Sequence, residues 1–329
     1  MMAFPTMLLT WALAVSAPTT CTLPIELLKS QATNQPKRAI QTYLKHKHSL
    51  QQQTCTDTAL AYRYILMAAT REQDWPLVEE VAIALQSVHL ASELEGKELN
   101  IINNIGVAYR KAGQTDDALA HYRCALTYAR THDARALIKI NIAIVHRNAG
   151  QPAIGFRLLE GIEEGYLPSV ILAGLHVAKG NTALQLKHYD EAQQAYQQAR
   201  DHYLKMQDRR NAQAVVANML VVALATNNLA AYDQLRPEST SDPLLLTDHG
   251  LRFIQWLDTF RSYSSANNLS RAQQLALQDT QDIAADYLEF VALLSARFGL
   301  NQDVTQRILN KSHQLPLSGA LAKHWCTSM

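Results

Sequence analysis

From Leu99 to Arg236 one arrangement of small and aromatic residues returns every 37 positions, and a return in phase restricts the chain to stacked, similar units. Gly106 and Tyr109 fall on one stretch of helix, a turn follows at Gly113-Gln114, and Ala118, Tyr122 and Ala125 mark one face of a second helix. Asn141-Ile142-Ala143 and Arg147-Asn148-Ala149-Gly150-Gln151 restate the first helix and its turn. Gly180 and Ala183 keep that frame, Ala192, Tyr196 and Ala199 restate the second helix, and Ala217 and Leu220 hold the frame a fourth time. Small residues let two helices approach closely, and the aromatics fill the space between them. The pattern predicts an all-α chain of helix–turn–helix units.

The spacing of glycine, tyrosine, alanine and aromatic resembles the tetratricopeptide repeat, a helix–turn–helix unit of about 34 residues. The longer period is similar to the units of kinesin light chains and of peptide-responsive bacterial regulators. Four positions depart from the family pattern: Ile102 stands at its tryptophan, Arg130 at its closing proline, His146 at a tyrosine and Gly155 at an alanine. The resemblance implies a right-handed α-solenoid and a binding module, with the first helix of each unit lining a concave groove. Equivalent positions on successive first helices would then form one strip. Asn104 matches Asn141, Arg110 matches Arg147, and Asn181 matches Asn218 one turn along. Asparagine offers a donor and an acceptor to an extended peptide, and arginine holds a carboxylate at two points. The bland reading of the same asparagines is that they cap, bridge neighbouring helices or face water. The carboxylate clamp of chaperone-binding relatives is not carried over, because its lysine positions hold Asn103 and Leu137.

Outside the array, residues 1–16 read as a secretory signal. Met7 to Ala17 is short, apolar and followed by small residues, with a cut after Ser16 favoured because Pro18 follows Ala17. The alternative is a buried N-terminal helix. Residues 17–98 form a helical region with one degenerate repeat: helices around Ile40 to Leu44, Asp57–Thr70 and Val78–Ser92, with Gln51-Gln52-Gln53 a polar connection. Residues 99–236 are the array, and 237–329 a divergent repeat with capping helices over Leu244–Tyr263, Ser270–Phe298 and Gln302–Ser312. Arg236 to Pro243, with two prolines and several cap formers, reads as a linker. In an exported chain Cys21 and Cys55 can pair, closing a loop worth roughly 3–4 kcal/mol. The other reading is four unpaired thiols. Cys124, inside a repeat helix, and Cys326, near the C-terminus, are expected to lie far apart in a solenoid.

A net charge of +1 gives no basic stripe for nucleic acid, and no interior segment has the apolar length to span a bilayer. There is no phosphate-cradling glycine loop, no His-Glu-x-x-His and no Cys-x-x-Cys. His46 and His48, two apart, make a poor metal pair. The adjacent acids Glu79-Glu80, Asp116-Asp117 and Glu163-Glu164 read as solvated. The expectation is therefore an exported (periplasmic or secreted), non-catalytic adaptor with no cofactor, binding a protein or peptide in its groove. Its rivals are a ligand- or peptide-responsive regulator that acts by changing curvature, and a hydrolase or transferase within Leu244–Met329.

Overall fold

The computed structural model describes residues 25–52, 57–87, 90–242, 245–246, 248–263, 270, 287–298, 317, 321 and 325–326. These residues are all-helical, with fifteen helices and no strand among them. They divide into two compact units, Met1–Glu95 and Gly96–Met329. The expected signal, Cys21, Cys55 and the helix Gln302–Ser312 lie outside the described residues.

The first unit holds α1 (Ile25–Asn34), α2 (Pro36–Gln52), α3 (Thr58–Glu72), α4 (Trp75–Ala84) and α5 (Ala91–Leu94). α3 is its centre, with Ile65, Leu66, Ala68 and Ala69 fully buried and α1, α2, α4 and α5 against it or its neighbours. Two expectations are corrected. Gln51 and Gln52 belong to α2 and not to a connection. The helix expected through Ser92 stops at Ala84, and Asp74 caps its start by accepting from the Leu77 amide at 3.3 Å. Glu80 is engaged, accepting from the Tyr43 hydroxyl (2.9 Å) and Lys47 (2.7 Å). Burial and that carboxylate push the Tyr43 phenol well above its ordinary range.

The second unit runs α6 (Glu98–Lys111), α7 (Thr115–Tyr128), α8 (His132–Asn148), α9 (Pro152–Glu160), α10 (Ser169–Gln185), α11 (Tyr189–Lys205), α12 (Arg209–Ala225), α13 (Leu229–Ser239), α14 (Asp248–Tyr263) and α15 (Leu288–Phe298). From α6 to α13 each helix packs on the next, and α6, α8, α10, α12 and α14 also touch in succession. The first helix of each pair stops in one way. At Gly113 (φ 76°), Gly150 (75°), Lys187 (63°) and Asn227 (58°) the backbone turns left-handed. The next amide then reaches back five residues: Gln114 to Tyr109, Gln151 to His146, His188 to Ala183 and Asn228 to Ala223. This double-bonded stop satisfies carbonyls that a helix end leaves open.

Helix contact inside the first three pairs depends on missing side chains. A Cβ on Gly106 would lie 2.8 Å from the Tyr122 ring, and one on Gly180 would lie 2.5 Å from that of Tyr196. Tyr109, Ala118, Tyr122, Ala192 and Tyr196 are buried completely. Between these two pairs Leu159 replaces the tyrosine, and α9 comes so near α8 that a Cβ on Gly155 would meet the Ala143 carbonyl at 2.7 Å. The glycine at an alanine position thus has a steric cause.

The segment read as a linker is not one. α13 continues through Arg236 and keeps Pro237 in its last turn. Gln213 donates to the carbonyls of Ser239 (2.9 Å) and Asp242 (3.2 Å), and Arg236 grips Asp258 of α14 at 2.6 and 2.7 Å. These anchors oppose the release that a proline and short polar residues would otherwise favour. α12, α14 and α15 share one core containing Leu220, Leu224, Phe253, Trp256, Phe290 and Leu294. The helices expected over Leu244–Tyr263 and Ser270–Phe298 are described from Asp248 and from Leu288.

Candidate functional site

The polar strip of the first helices is used largely within the fold. Asn141, 9% exposed, donates to Asn103 across α8 and α6 at 2.8 Å. Asn218 donates to Asn181 across α12 and α10 at 3.4 Å, and the Tyr196 hydroxyl donates to the same Asn181 oxygen at 2.7 Å. Arg147, 7% exposed, pairs with Glu289 of α15 at 3.1 Å and donates to Asn148. Asn181, Leu184 and Gln185 of α10 and Glu289, Phe290 and Leu293 of α15 line one small crevice here. Tyr196 is pushed well up by burial first and by the Glu289 charge second, against the opposing Arg147. Asn104 and Arg110 differ from the rest. Each is half-buried, and the Asn104 Nδ2 and Arg110 Nε lack hydrogen-bond partners among the described residues. Burial raises the Tyr122 phenol, and the nearby Arg110 charge opposes that rise.

A different set of residues meets a peptide segment, and the segment is the chain's own C-terminus. On α7 the residues Asp117, His121, Cys124 and Tyr128 are four, three and four apart and so share one stripe. At its N-terminal end Gln114 pairs with both main-chain groups of Leu317: Nε2 donates to the carbonyl at 3.1 Å and Oε1 accepts from the amide at 2.6 Å. The Tyr109 hydroxyl of α6 accepts from the Leu321 amide at 3.2 Å. The Tyr128 hydroxyl donates to the Trp325 carbonyl at 3.0 Å. One residue further, Cys326 is joined to Cys124 by a disulfide with a Cα–Cα distance of 5.8 Å. The expectation that these cysteines lie far apart is therefore corrected, because the C-terminal segment returns onto the first pair of this unit. Leu317, Leu321 and Cys326 are buried there. His121 packs against Tyr109 at 4.5 Å with the rings tilted by 36°, and its Nδ1 pairs with the Asp117 carbonyl at 2.7 Å. Burial lowers the His121 pKa despite that carbonyl.

Sequence reasoning singled out Tyr109 only as a packing residue and missed Gln114, Cys124 and Tyr128. The α7 stripe was a usable signal, since a cysteine and a tyrosine flank a histidine on a face that the repeat pattern does not need. Nothing local in the sequence names the residues opposite it.

A third cluster joins the α9–α10 connection to α10 and α11. Glu164 accepts from Lys179 at 2.7 Å and stands 3.6 Å from His176 Nε2, and His176 stacks on His202 at 5.6 Å. Burial would raise the Glu164 carboxyl, but Lys179 and the two histidines hold it below its ordinary value. Burial chiefly lowers His176, with Glu164 opposing. Glu164 is therefore an engaged acid and not a solvated one. Among the described residues, no group of three or more His, Cys, Asp or Glu side chains is placed to hold a metal, and no helix is long and apolar enough to cross a membrane. No family model, curated protein or solved structure matches the chain.

Proposed function

We propose that this chain is an exported, non-catalytic adaptor whose tetratricopeptide-like solenoid binds an extended peptide or the tail of a partner protein. The observation that carries this reading is the grip on the chain's own C-terminal segment. Gln114, Tyr109 and Tyr128 take main-chain groups at three successive points, while Leu317 and Leu321 enter the protein as apolar anchors. Main-chain hydrogen bonds supply affinity with little dependence on sequence, and buried side chains at intervals supply selectivity. The peptide-reading groups lie on the α6–α7 face. The Cys124–Cys326 bridge agrees with an oxidising compartment.

The test uses a full-length chain carrying Leu317→Asp, Leu321→Asp and Cys326→Ser, which expels its own segment. A fluorescent peptide spanning residues 315–328 with Cys326→Ser is titrated into it. Saturable binding is expected, weakened at least about tenfold by adding Gln114→Ala and Tyr128→Phe, since three hydrogen bonds are lost. Absence of saturable binding in a variant with native helical circular dichroism would refute the reading.

A further inference from the structure

The covalent link between α7 and the C-terminus stands at the end of the row of peptide-reading contacts. Leu317 meets Gln114 near the start of α7, Leu321 meets Tyr109, and Trp325 meets Tyr128 near the end of α7. Cys326, the next residue, carries the bond to Cys124, one helical turn before Tyr128. A bond at that point holds the whole row in register, because Trp325 is one peptide unit from it. The bridge spans 202 positions of sequence, so it constrains a very long loop. Without it, the C-terminal segment returns only as a tethered competitor at an effective concentration on the order of millimolar.

We infer that Cys124–Cys326 is a redox latch: oxidised, it keeps the chain's own segment on the α6–α7 face, and reduced by a dithiol, it opens that face to a peptide from a partner. This rests on the peptide-binding reading above. The two cysteines differ in exposure, Cys124 being half-buried on the α7 stripe and Cys326 only 4% exposed. A thiolate of the incoming dithiol attacks the Cys124 sulfur, forming a mixed disulfide and breaking the bond to Cys326, which leaves as a thiolate and takes up a proton. The second thiol of the dithiol attacks its own mixed-disulfide sulfur, releasing Cys124 as a thiolate that is also protonated. Two electrons and two protons pass from the dithiol to the bridge, and the dithiol ends as a disulfide.

Release then removes only the covalent restraint. The hydrogen bonds to Gln114, Tyr109 and Tyr128 remain available to whichever segment presents main-chain groups and two apolar anchors. The partner that fits is a peptide segment with leucine-like residues at the positions of Leu317 and Leu321. The reduced chain is an exchange device, with its own tail and the partner's segment competing for one row of groups.

The experiment compares three full-length proteins with the labelled 315–328 peptide: oxidised native chain, native chain reduced with dithiothreitol and alkylated, and the Leu317→Asp, Leu321→Asp, Cys326→Ser variant. Intact mass after digestion verifies the state of the 124–326 bridge. The expected result is binding at least about tenfold tighter to the reduced chain than to the oxidised one, with the variant binding whether or not reductant is present. Amide exchange at residues 317–326 should rise on reduction. If the variant binds but oxidised and reduced native chains bind equally, or exchange does not change, the latch is overturned while peptide binding stands. If the variant itself does not bind, the binding reading fails and the latch with it.

Discussion

Tyr196 occupies the volume where a side chain on Gly180 would lie, its ring atom Cε1 standing 2.5 Å from an ideal Cβ. The same tyrosine is completely buried and donates its hydroxyl to Asn181, the neighbour of that glycine, at 2.7 Å. One ring thus fills the helix–helix contact and satisfies a polar residue of the opposite helix. Tyr122 repeats the steric half of this arrangement against Gly106 but has Val107 where the later unit has Asn181.

Gly106→Leu and Gly180→Ala should each destabilise the second unit by about 1–3 kcal/mol, because a fully buried ring has nowhere to move. Denaturant midpoints measure this. A native midpoint in both variants would mean that the close contact carries no energy.

Lys187 occupies the left-handed position that Gly113 and Gly150 hold in the earlier units, at φ 63°. Lys187→Gly should stabilise by about 1 kcal/mol through relief of Cβ strain. Lys187→Ala, which keeps the Cβ, should give no such gain. Equal melting temperatures for the two variants would contradict this account.

Arg236 and Tyr232 converge on Asp258, the arginine at two points and the hydroxyl at 2.8 Å. The cluster is partly exposed, so Asp258→Ala should cost about 1–3 kcal/mol, mainly from donors left without an acceptor. Arg236→Ala should cost less, since Asp258 keeps Tyr232. A double-mutant cycle on Arg236 and Asp258 reads their coupling directly; a coupling of zero would leave α13 and α14 held by apolar packing alone.

His121 and His176 both have pKa values lowered first by burial. Their neutral forms are favoured in the fold, so the unfolded chain binds more protons below its ordinary histidine pKa, near 6.5. That contribution to stability is complete above this value and declines as pH falls from there through the lowered folded values. Melting should therefore drop between pH 7.5 and 5.5. Replacing both residues (His121→Gln with His176→Gln) should flatten the decline. For His176 the facing charges are Glu164, Lys179 and His202. An undiminished slope in the double variant would assign the pH dependence elsewhere.

The repeating half of the structure was legible because its causes are short-range. Gly113 and Gly150 mark helix stops, and Gly106, Tyr122, Gly180 and Tyr196 mark helix contacts within about 16 residues. Arg236 to Pro243 misled because proline and cap formers usually end a helix; Gln213 and Asp258, more than 20 residues away, hold that end in place. The polar strip was partly legible: Asn141, Asn181 and Asn218 do line successive first helices, but Asn141 finds Asn103 and Asn218 finds Asn181. A side chain that can both donate and accept serves a neighbouring helix as well as a ligand, and only the distance between helices decides which.

By itself, then, the sequence determined the helical units, their 37-residue phase and the small-against-aromatic contacts inside them, since each depends on residues a turn or one helix apart. The tertiary structure alone decided that Arg147 meets Glu289, that Gln114 meets Leu317 and that Cys124 meets Cys326. Those pairs join residues more than 140 positions apart. Their meeting follows from the path of the returning chain, which no local spacing or propensity encodes.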